Sequence, residues 1–146
     1  MVTVRTLPGA DLDPATLYAL LRLRVDVFVV EQACPYPELD GRDLEPTTRH
    51  CWIEDDGVPV ASARILDEGG TIRIGRVATA ASHRRQGLAA TLIQHALERA
   101  RLDGSQVVLH AQSHLVDWYR SFGFDVDGPE FVEDGIPHTP MRLSRR

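Results

Sequence analysis

The chain has 146 residues, of which 43% are hydrophobic, 25% charged and 6% aromatic. This balance is typical of a folded globular domain and excludes a fibrous, disordered or membrane-spanning protein, because no apolar run approaches about eighteen residues. The formal net charge of −5 provides no basic field for phosphate backbones, so a general nucleic-acid binder is disfavoured. All 16 basic residues are arginine, which excludes mechanisms that need a lysine.

The two cysteines and the first thirty residues bear on location. Cys34 and Cys51 are too few for a zinc ribbon and are not spaced as a CxxC pair, so we predict free thiols in a reducing compartment. The amino-terminal region lacks the basic start, apolar run and small-residue cleavage site of an export signal. We therefore expect a cytoplasmic protein with no membrane association.

The first half of the chain predicts a strand, a helix, a loop and a meander. Residues 2–7 have the composition of a short strand, and Asp13 before Pro14 is typical of a helix start. Apolar residues at helical spacing extend that helix to about Val30. Three prolines predict irregular structure over residues 33–48. Turns rich in Asp and Gly then divide an antiparallel meander into strands at residues 50–54, 58–66 and 71–79.

The second half alternates helices with short strands. A wide apolar stripe predicts a long helix in residues 84–101, closed by Asp103 and Gly104. It is followed by a strand, a short helix and two more strands, over residues 106–110, 116–121, 124–126 and 138–143. No repeat or linker divides the chain, so we expect one domain over residues 1–146.

The junction between the last meander strand and the long helix predicts an anion-binding turn. Its residues are Arg84, Arg85, Gln86, Gly87, Leu88 and Ala89. The first N–H groups of a helix lack acceptors and lie at the positive end of its dipole, so phosphate oxygens can bind there. Gly87 permits close approach, and the two arginines offer charge-assisted donors. An ordinary, solvated helix start is the alternative that these residues alone leave open.

Two motifs in order add a family resemblance. The pattern RxxGxA at Arg84, Gly87 and Ala89 resembles the acetyl-CoA pyrophosphate loop of the GCN5-related N-acetyltransferase (GNAT) superfamily. Tyr119, Gly123 and Phe124 resemble its YxxxGF segment. Residues 23–50 and 134–138 resemble the first half and the closing segment of the ElaA-like branch of that superfamily.

The resemblance implies an α/β GNAT fold. Its mixed, strongly bent sheet would have about six or seven strands flanked by helices and would splay open at the cofactor strand. The pantetheine of acetyl-CoA, a cosubstrate, would lie in that opening, with its pyrophosphate on the turn at residues 84–89. The expected cofactor-binding set is completed by Val77, Ala78, Thr79, Gln112 and Trp118. Gln112 stands where many relatives have Asn.

The implied reaction is direct transfer of an acetyl group to an amine of a small molecule, an amino-acid derivative or a peptide amino terminus. Tyr119 is expected to be the general acid that protonates the departing thiolate, because a phenol with a reference pKa of about 10 stays protonated at neutral pH. The alternative for Tyr119 is an aromatic that packs in the core or on the cofactor. The alternative for the protein is a non-catalytic acyl-CoA-binding module. The superfamily also makes a homodimer plausible.

Residue type alone does not single out the general base or the anchor of the acceptor. Candidate bases are Glu31, His50, His110, His114 and His138. The acids Glu38, Asp40 and Asp43 either line the acceptor cleft and attract an ammonium or simply solvate their loop. Candidate anchors for an acceptor carboxylate are Arg49, Arg64 and Arg76. His110 and His114 have no third ligand nearby in sequence, so no metal site is predicted.

Overall fold

The structure is a computed structural model that describes residues 3–144. Eight strands in these residues form one mixed sheet in the order β1-β2-β3-β4-β5-β8-β6, with β7 paired to β8. The strands are β1 (Val4–Pro8), β2 (Arg49–Asp55), β3 (Val58–Asp67), β4 (Thr71–Thr79), β5 (Gln106–Gln112), β6 (Phe124–Val126), β7 (Phe131–Glu133) and β8 (Ile136–Leu143). The α-helices are α1 (Pro14–Val25), α2 (Leu88–Asp103) and α3 (Val116–Arg120). Within residues 3–144, no helix is long and apolar enough to cross a membrane.

The predicted α/β class and order of elements are confirmed, and the predicted number of strands is too low. The additional strand is β7, a three-residue segment for which no strand was predicted. The predicted strand at residues 2–7 is observed as β1, with Val2 outside the described residues. The loop at residues 33–48 contains neither helix nor strand, as expected from its prolines.

The first helix begins where the sequence predicts. Asp13 Oδ1 accepts a hydrogen bond of 2.8 Å from the Thr16 N–H, and Pro14 occupies the first helical position. After Val25 the chain continues as a π-helical segment, Asp26–Glu31, which accounts for the predicted end near Val30. This segment brings Glu31 towards the turn that precedes α2.

The main core lies between the sheet and α2. The apolar stripe of this helix places Leu92, Ile93 and Ala96 in full burial against β3 and its neighbours. The helix starts at Leu88, so the expectation that Arg84 already lies in the helix is wrong. A left-handed Gly87, at φ 73°, separates the preceding turn from the helix. At the other end Gly104 closes the helix as predicted.

The sheet opens between β4 and β5, as the resemblance implies. These strands pair in parallel only between Thr71–Ile74 and Gln106–Leu109. A bulge in β4 increases the divergence, because three steps from Gly75 to Ala78 face two steps on β3, and Arg76 inside the bulge has a φ of 51°. The edge of β4 that faces β5 is therefore unpaired beyond Ile74.

Candidate active site

The opening between β4 and β5 is a cavity of about 980 Å³. Nine of the twelve residues predicted from the sequence line it: Val77, Ala78, Thr79, Arg84, Arg85, Ala89, Gln112, Trp118 and Tyr119. Gln86 and Leu88 instead line a separate cavity of about 480 Å³ beside the β2–β3 hairpin, and Gly87 lines neither. These three residues therefore lie outside the lining of the larger cavity, beside Arg85 and Ala89, which do line it.

The turn before α2 presents free main-chain donors. The first helical hydrogen bond runs from the Thr91 N–H to the Gly87 carbonyl at 3.0 Å, so the N–H groups of Leu88, Ala89 and Ala90 have no helical acceptor. Arg85 and Gly87 both have positive φ values, 65° and 73°. A Cβ on Gly87 would meet no atom within 4 Å, so the surface beside the turn is open. The turn has the polarity and the space that an anionic group requires.

The two arginines of the turn differ in their partners. The Arg84 guanidinium donates two hydrogen bonds to the Glu31 carboxylate, at 2.6 and 2.7 Å, and one to the Thr79 carbonyl at 3.2 Å. The hydrogen bond from Arg84 lowers the pKa of Glu31. In residues 3–144, the Arg85 side chain has no ion-pair or hydrogen-bond partner. Arg84 therefore lines the cavity with its guanidinium already paired to Glu31. The Arg85 side chain lines the cavity and, within residues 3–144, is free to bind a ligand.

Tyr119 lies in the cavity wall with only 7% of its surface exposed. Its ring packs edge to face on Trp118 and Phe124, at centroid distances of 4.8 and 6.1 Å. Burial raises the pKa of Tyr119 to about 12. The described residues offer its hydroxyl no hydrogen-bond partner, so the phenol is a protonated donor available to a ligand.

Trp118 and Gln112 flank the tyrosine. Trp118 faces the cavity and also packs on the main core, with its ring 4.9 Å from that of Phe122. Trp118 therefore contacts both the cavity and the core. The Gln112 side chain donates a hydrogen bond of 3.4 Å to Oε1 of Gln32, the residue that follows the π-helical segment.

Three arginines and three carboxylates form an ionic network at the other end of the cavity. Its members are Arg24, Arg64, Arg76, Glu38, Asp40 and Asp43. Arg24, 1% exposed, donates to Glu38 at 2.7 Å and to Asp43 at 2.5 Å. Arg64 holds Asp40 through two bonds of 2.8 Å. The network fastens the loop at residues 33–48 to α1, β3 and β4.

This pairing decides whether the three acids line the acceptor cleft or simply solvate their loop. Glu38 and Asp43 are buried, so they do not simply solvate the loop, and of the three acids only Asp40 lines the cavity. Burial raises the pKa of Asp40, but hydrogen bonds and charge from Arg64 outweigh it and hold the pKa well below its ordinary value. Because its carboxylate is already paired, Asp40 has little charge left for an acceptor ammonium.

The candidate histidines separate into two groups. His50 is buried away from the cavity, with Nε2 3.0 Å from the Asp43 carbonyl oxygen, and burial lowers its pKa. His110, His114 and His138 line the cavity. Burial and the charge of Arg73 lower the pKa of His110. Among residues 3–144, no group of three or more His, Cys, Asp or Glu is arranged to hold a metal ion.

Sequence reasoning missed several residues of the site and identified others. Arg24 and Tyr36 escaped it, although Arg24 stands four residues after buried Leu20 on the apolar face of α1. A charged residue at a core position was the available signal, since such a residue is buried only when it is paired. The two cysteines are free, as predicted, and both are buried.

Comparison with known proteins places this arrangement in a family. The profile of the "Acetyltransferase (GNAT) domain" matches residues 22–145. The chain belongs to the GNAT acetyltransferase family. It is 48% identical over 143 residues to a UPF0039 protein of Mycobacterium tuberculosis, covering 94% of this chain and 90% of the relative. It is 40% identical over 148 residues to protein ElaA of Escherichia coli, covering 97% and 95%.

Solved GNAT structures have the same fold. An acyl-CoA N-acyltransferase from Pseudomonas aeruginosa superposes with a TM-score of 0.93 at 41% identity, over 99% of this chain and 100% of that one. Escherichia coli ElaA superposes with a TM-score of 0.91 at 38% identity and the same coverage. PaiA N-acetyltransferase of Thermoplasma acidophilum, solved with coenzyme A, shares the fold at 11% identity, with a TM-score of 0.74 over 98% of this chain and 99% of that one. The chain is thus an ElaA-like GNAT acyltransferase that uses an acyl-CoA.

Proposed function

We propose that this GNAT protein is an N-acetyltransferase that transfers the acetyl group of acetyl-CoA to the amine of a small molecule, an amino-acid derivative or a peptide amino terminus. One observation carries the proposal: a single cavity joins the unpaired edge of β4, the turn before α2 and the phenol of Tyr119. The edge of β4 suits a pantetheine arm, the turn suits a diphosphate, and the phenol suits a departing thiolate.

The residues present suit acetyl-CoA. The free N–H groups at the start of α2 and the uncommitted Arg85 suit the pyrophosphate. The unpaired edge of β4 at residues 75–79 can pair with the pantetheine amides, as another strand would, although the Thr79 carbonyl is already engaged by Arg84. Gln112 and Trp118 would form the opposite wall.

Tyr119 would then act as the acid of the reaction. A neutral amine forms the C–N bond, and the C–S bond breaks with its electron pair on sulfur. Burial raises the pKa of Tyr119, so the phenol stays protonated until the C–S bond breaks and can donate its hydrogen to the departing sulfur. The phenol therefore stabilises the sulfur by hydrogen bonding as the bond breaks, and the proton that nitrogen loses completes the net transfer.

Thiol release from acetyl-CoA across a panel of amines tests the proposal. We expect Tyr119→Phe to reduce turnover by about 10² to 10⁴ while coenzyme still stabilises the variant. A decrease below about threefold would remove Tyr119 from this role. Coenzyme stabilisation without thiol release by the wild type for any amine would favour the binding-only alternative. Cytoplasmic location, single-domain organisation and a homodimer stay predictions from the sequence.

A further inference from the structure

Three histidines line the cavity, and ring hydrogen bonds give two of them, His110 and His138, different proton-accepting ability. Arg73 Nη1 lies 3.2 Å from His110 Nε2. A guanidinium only donates, so His110 Nε2 must accept, and the proton of the neutral ring is then on Nδ1. His110 therefore has no lone pair left with which to accept a proton from a ligand.

His138 has the opposite arrangement. Its Nδ1 lies 2.8 Å from the Ile136 carbonyl oxygen, which only accepts, so the ring proton is on Nδ1 and Nε2 carries the free lone pair. The ring stacks on Phe131, with centroids 5.8 Å apart and planes 22° apart, which fixes its orientation. His138 lies opposite Gln112 in the register of β5 and β8, at the splayed end of the sheet.

The other candidate bases lack this combination. Glu31 is engaged by Arg84, and His50 lies outside the cavity. His114 lines the cavity but is exposed, and no hydrogen bond in the described residues fixes its ring. His138 alone among these five has a fixed ring and an available lone pair in the cavity.

We propose that His138 Nε2 is the general base that deprotonates the acceptor ammonium, an inference that rests on the proposed function. One ammonium proton passes to Nε2, and the nitrogen lone pair forms the C–N bond to the acyl carbon. The C–S bond breaks with its electron pair on sulfur. The second proton that nitrogen loses reaches sulfur through Tyr119, and His138 then releases its own proton to solvent.

His138 belongs to a cluster that His110 links to charged groups of neighbouring elements, Glu68 among them. Arg73 on β4, His110 on β5 and Glu133 on β7 belong to the same cluster, in which Phe131 lies between the two histidine rings. A pH–rate profile would report the cluster as a whole and not one of its members. The basicity of the acceptor amine is the more selective readout, because only an acceptor that is protonated at about pH 7 needs this base.

The test compares His138→Gln with the wild type on two acceptors, an alkyl amine that is protonated at about pH 7 and a weakly basic amine that is neutral there. We expect kcat/KM for the alkyl amine to fall by about 10² to 10⁴, and the loss for the weakly basic amine to stay below about tenfold. His95→Gln is the control, because His95 lies on α2 and bonds Thr6 Oγ1 at 2.9 Å outside the cavity. Coenzyme should stabilise both variants as it does the wild type.

Several outcomes would overturn the assignment. Equal losses with both amines, or a loss below about threefold with the alkyl amine, would show that His138 does not deprotonate the acceptor. If His138→Gln fails to fold, ¹⁵N NMR of the wild-type ring decides, because a proton on Nε2 in place of Nδ1 contradicts the proposal and the reverse supports it. A wild type that binds coenzyme and acylates no amine would overturn the proposed function together with this inference.

Discussion

Substitution of Gly87 is the sharpest test of the turn before α2. A non-glycine residue at φ 73° costs about 1–2 kcal/mol of free energy of unfolding, because its Cβ approaches the following carbonyl. No atom lies within 4 Å of the new Cβ, so Gly87→Ala should lose stability by this conformational term and by no clash. Gly87→Glu should add a carboxylate where the pyrophosphate is proposed to bind.

The same helix supplies a matched control. Gly104 ends α2 at φ 69°, and a Cβ added there would also meet no atom within 4 Å. Gly104→Ala should therefore lower the free energy of unfolding by about 1–2 kcal/mol, as Gly87→Ala does. In urea unfolding, coenzyme A at about 100 times its Kd should stabilise the wild type by about 2.7 kcal/mol. Gly104→Ala should keep that gain, and Gly87→Glu should lose it.

The helix dipole predicts a difference in stability between glutamate substitutions at the two ends of α2 in the absence of coenzyme. A carboxylate at the start of α2 should contribute about 0.3–1 kcal/mol of stability, and one at its end should remove a similar amount. Gly87→Glu should therefore be more stable than Gly104→Glu in the absence of coenzyme and yet respond less to it. Full coenzyme stabilisation of Gly87→Glu would refute the assignment of the diphosphate to this turn.

Two further predictions concern the ionic network. Arg24→Met should lower the free energy of unfolding by about 3–5 kcal/mol, because it leaves Glu38 and Asp43 buried, each without one of its two arginine partners. Arg22→Met, which removes an exposed pair with Asp26, should change it by about 0.3–0.5 kcal/mol in the same urea titration. A change below about 1 kcal/mol in Arg24→Met would show that the network does not hold the loop. The folded pKa of Asp40 lies below its unfolded value, so its stabilising contribution is complete above about pH 5 and is lost as the pH falls through the folded value. Asp40→Asn should therefore lessen the dependence of the free energy of unfolding on pH below about 5. The same pH dependence in the variant and the wild type would contradict the pairing with Arg64.

Local signals were enough to predict where α1 begins, which face of α2 is buried and where α2 ends. The Asp13 cap, the apolar stripe of α2 and the Gly104 terminus each depend on residues a few positions apart, and all three are observed. The splay of the sheet was different, because it entered through the family resemblance. No residue pattern within β4 or β5 predicts where their pairing stops.

Contacts between distant segments could not be predicted from the sequence. Arg84 was expected to offer its charge to a ligand, but Glu31, 53 residues earlier, takes up its guanidinium. Pairing of Arg24 with Glu38 and Asp43 likewise joins α1 to a loop without regular structure. Such pairs have no periodicity, so the sequence predicts the charges and not their partners.

Co-crystallisation with coenzyme A is the most direct measurement of the central claim. We predict pyrophosphate oxygens within hydrogen-bonding distance of the free N–H groups at Leu88 and Ala89. We also predict that the sulfur accepts a hydrogen bond from the Tyr119 hydroxyl. A coenzyme bound outside the opening between β4 and β5, or a sulfur beyond the reach of that phenol, would contradict it.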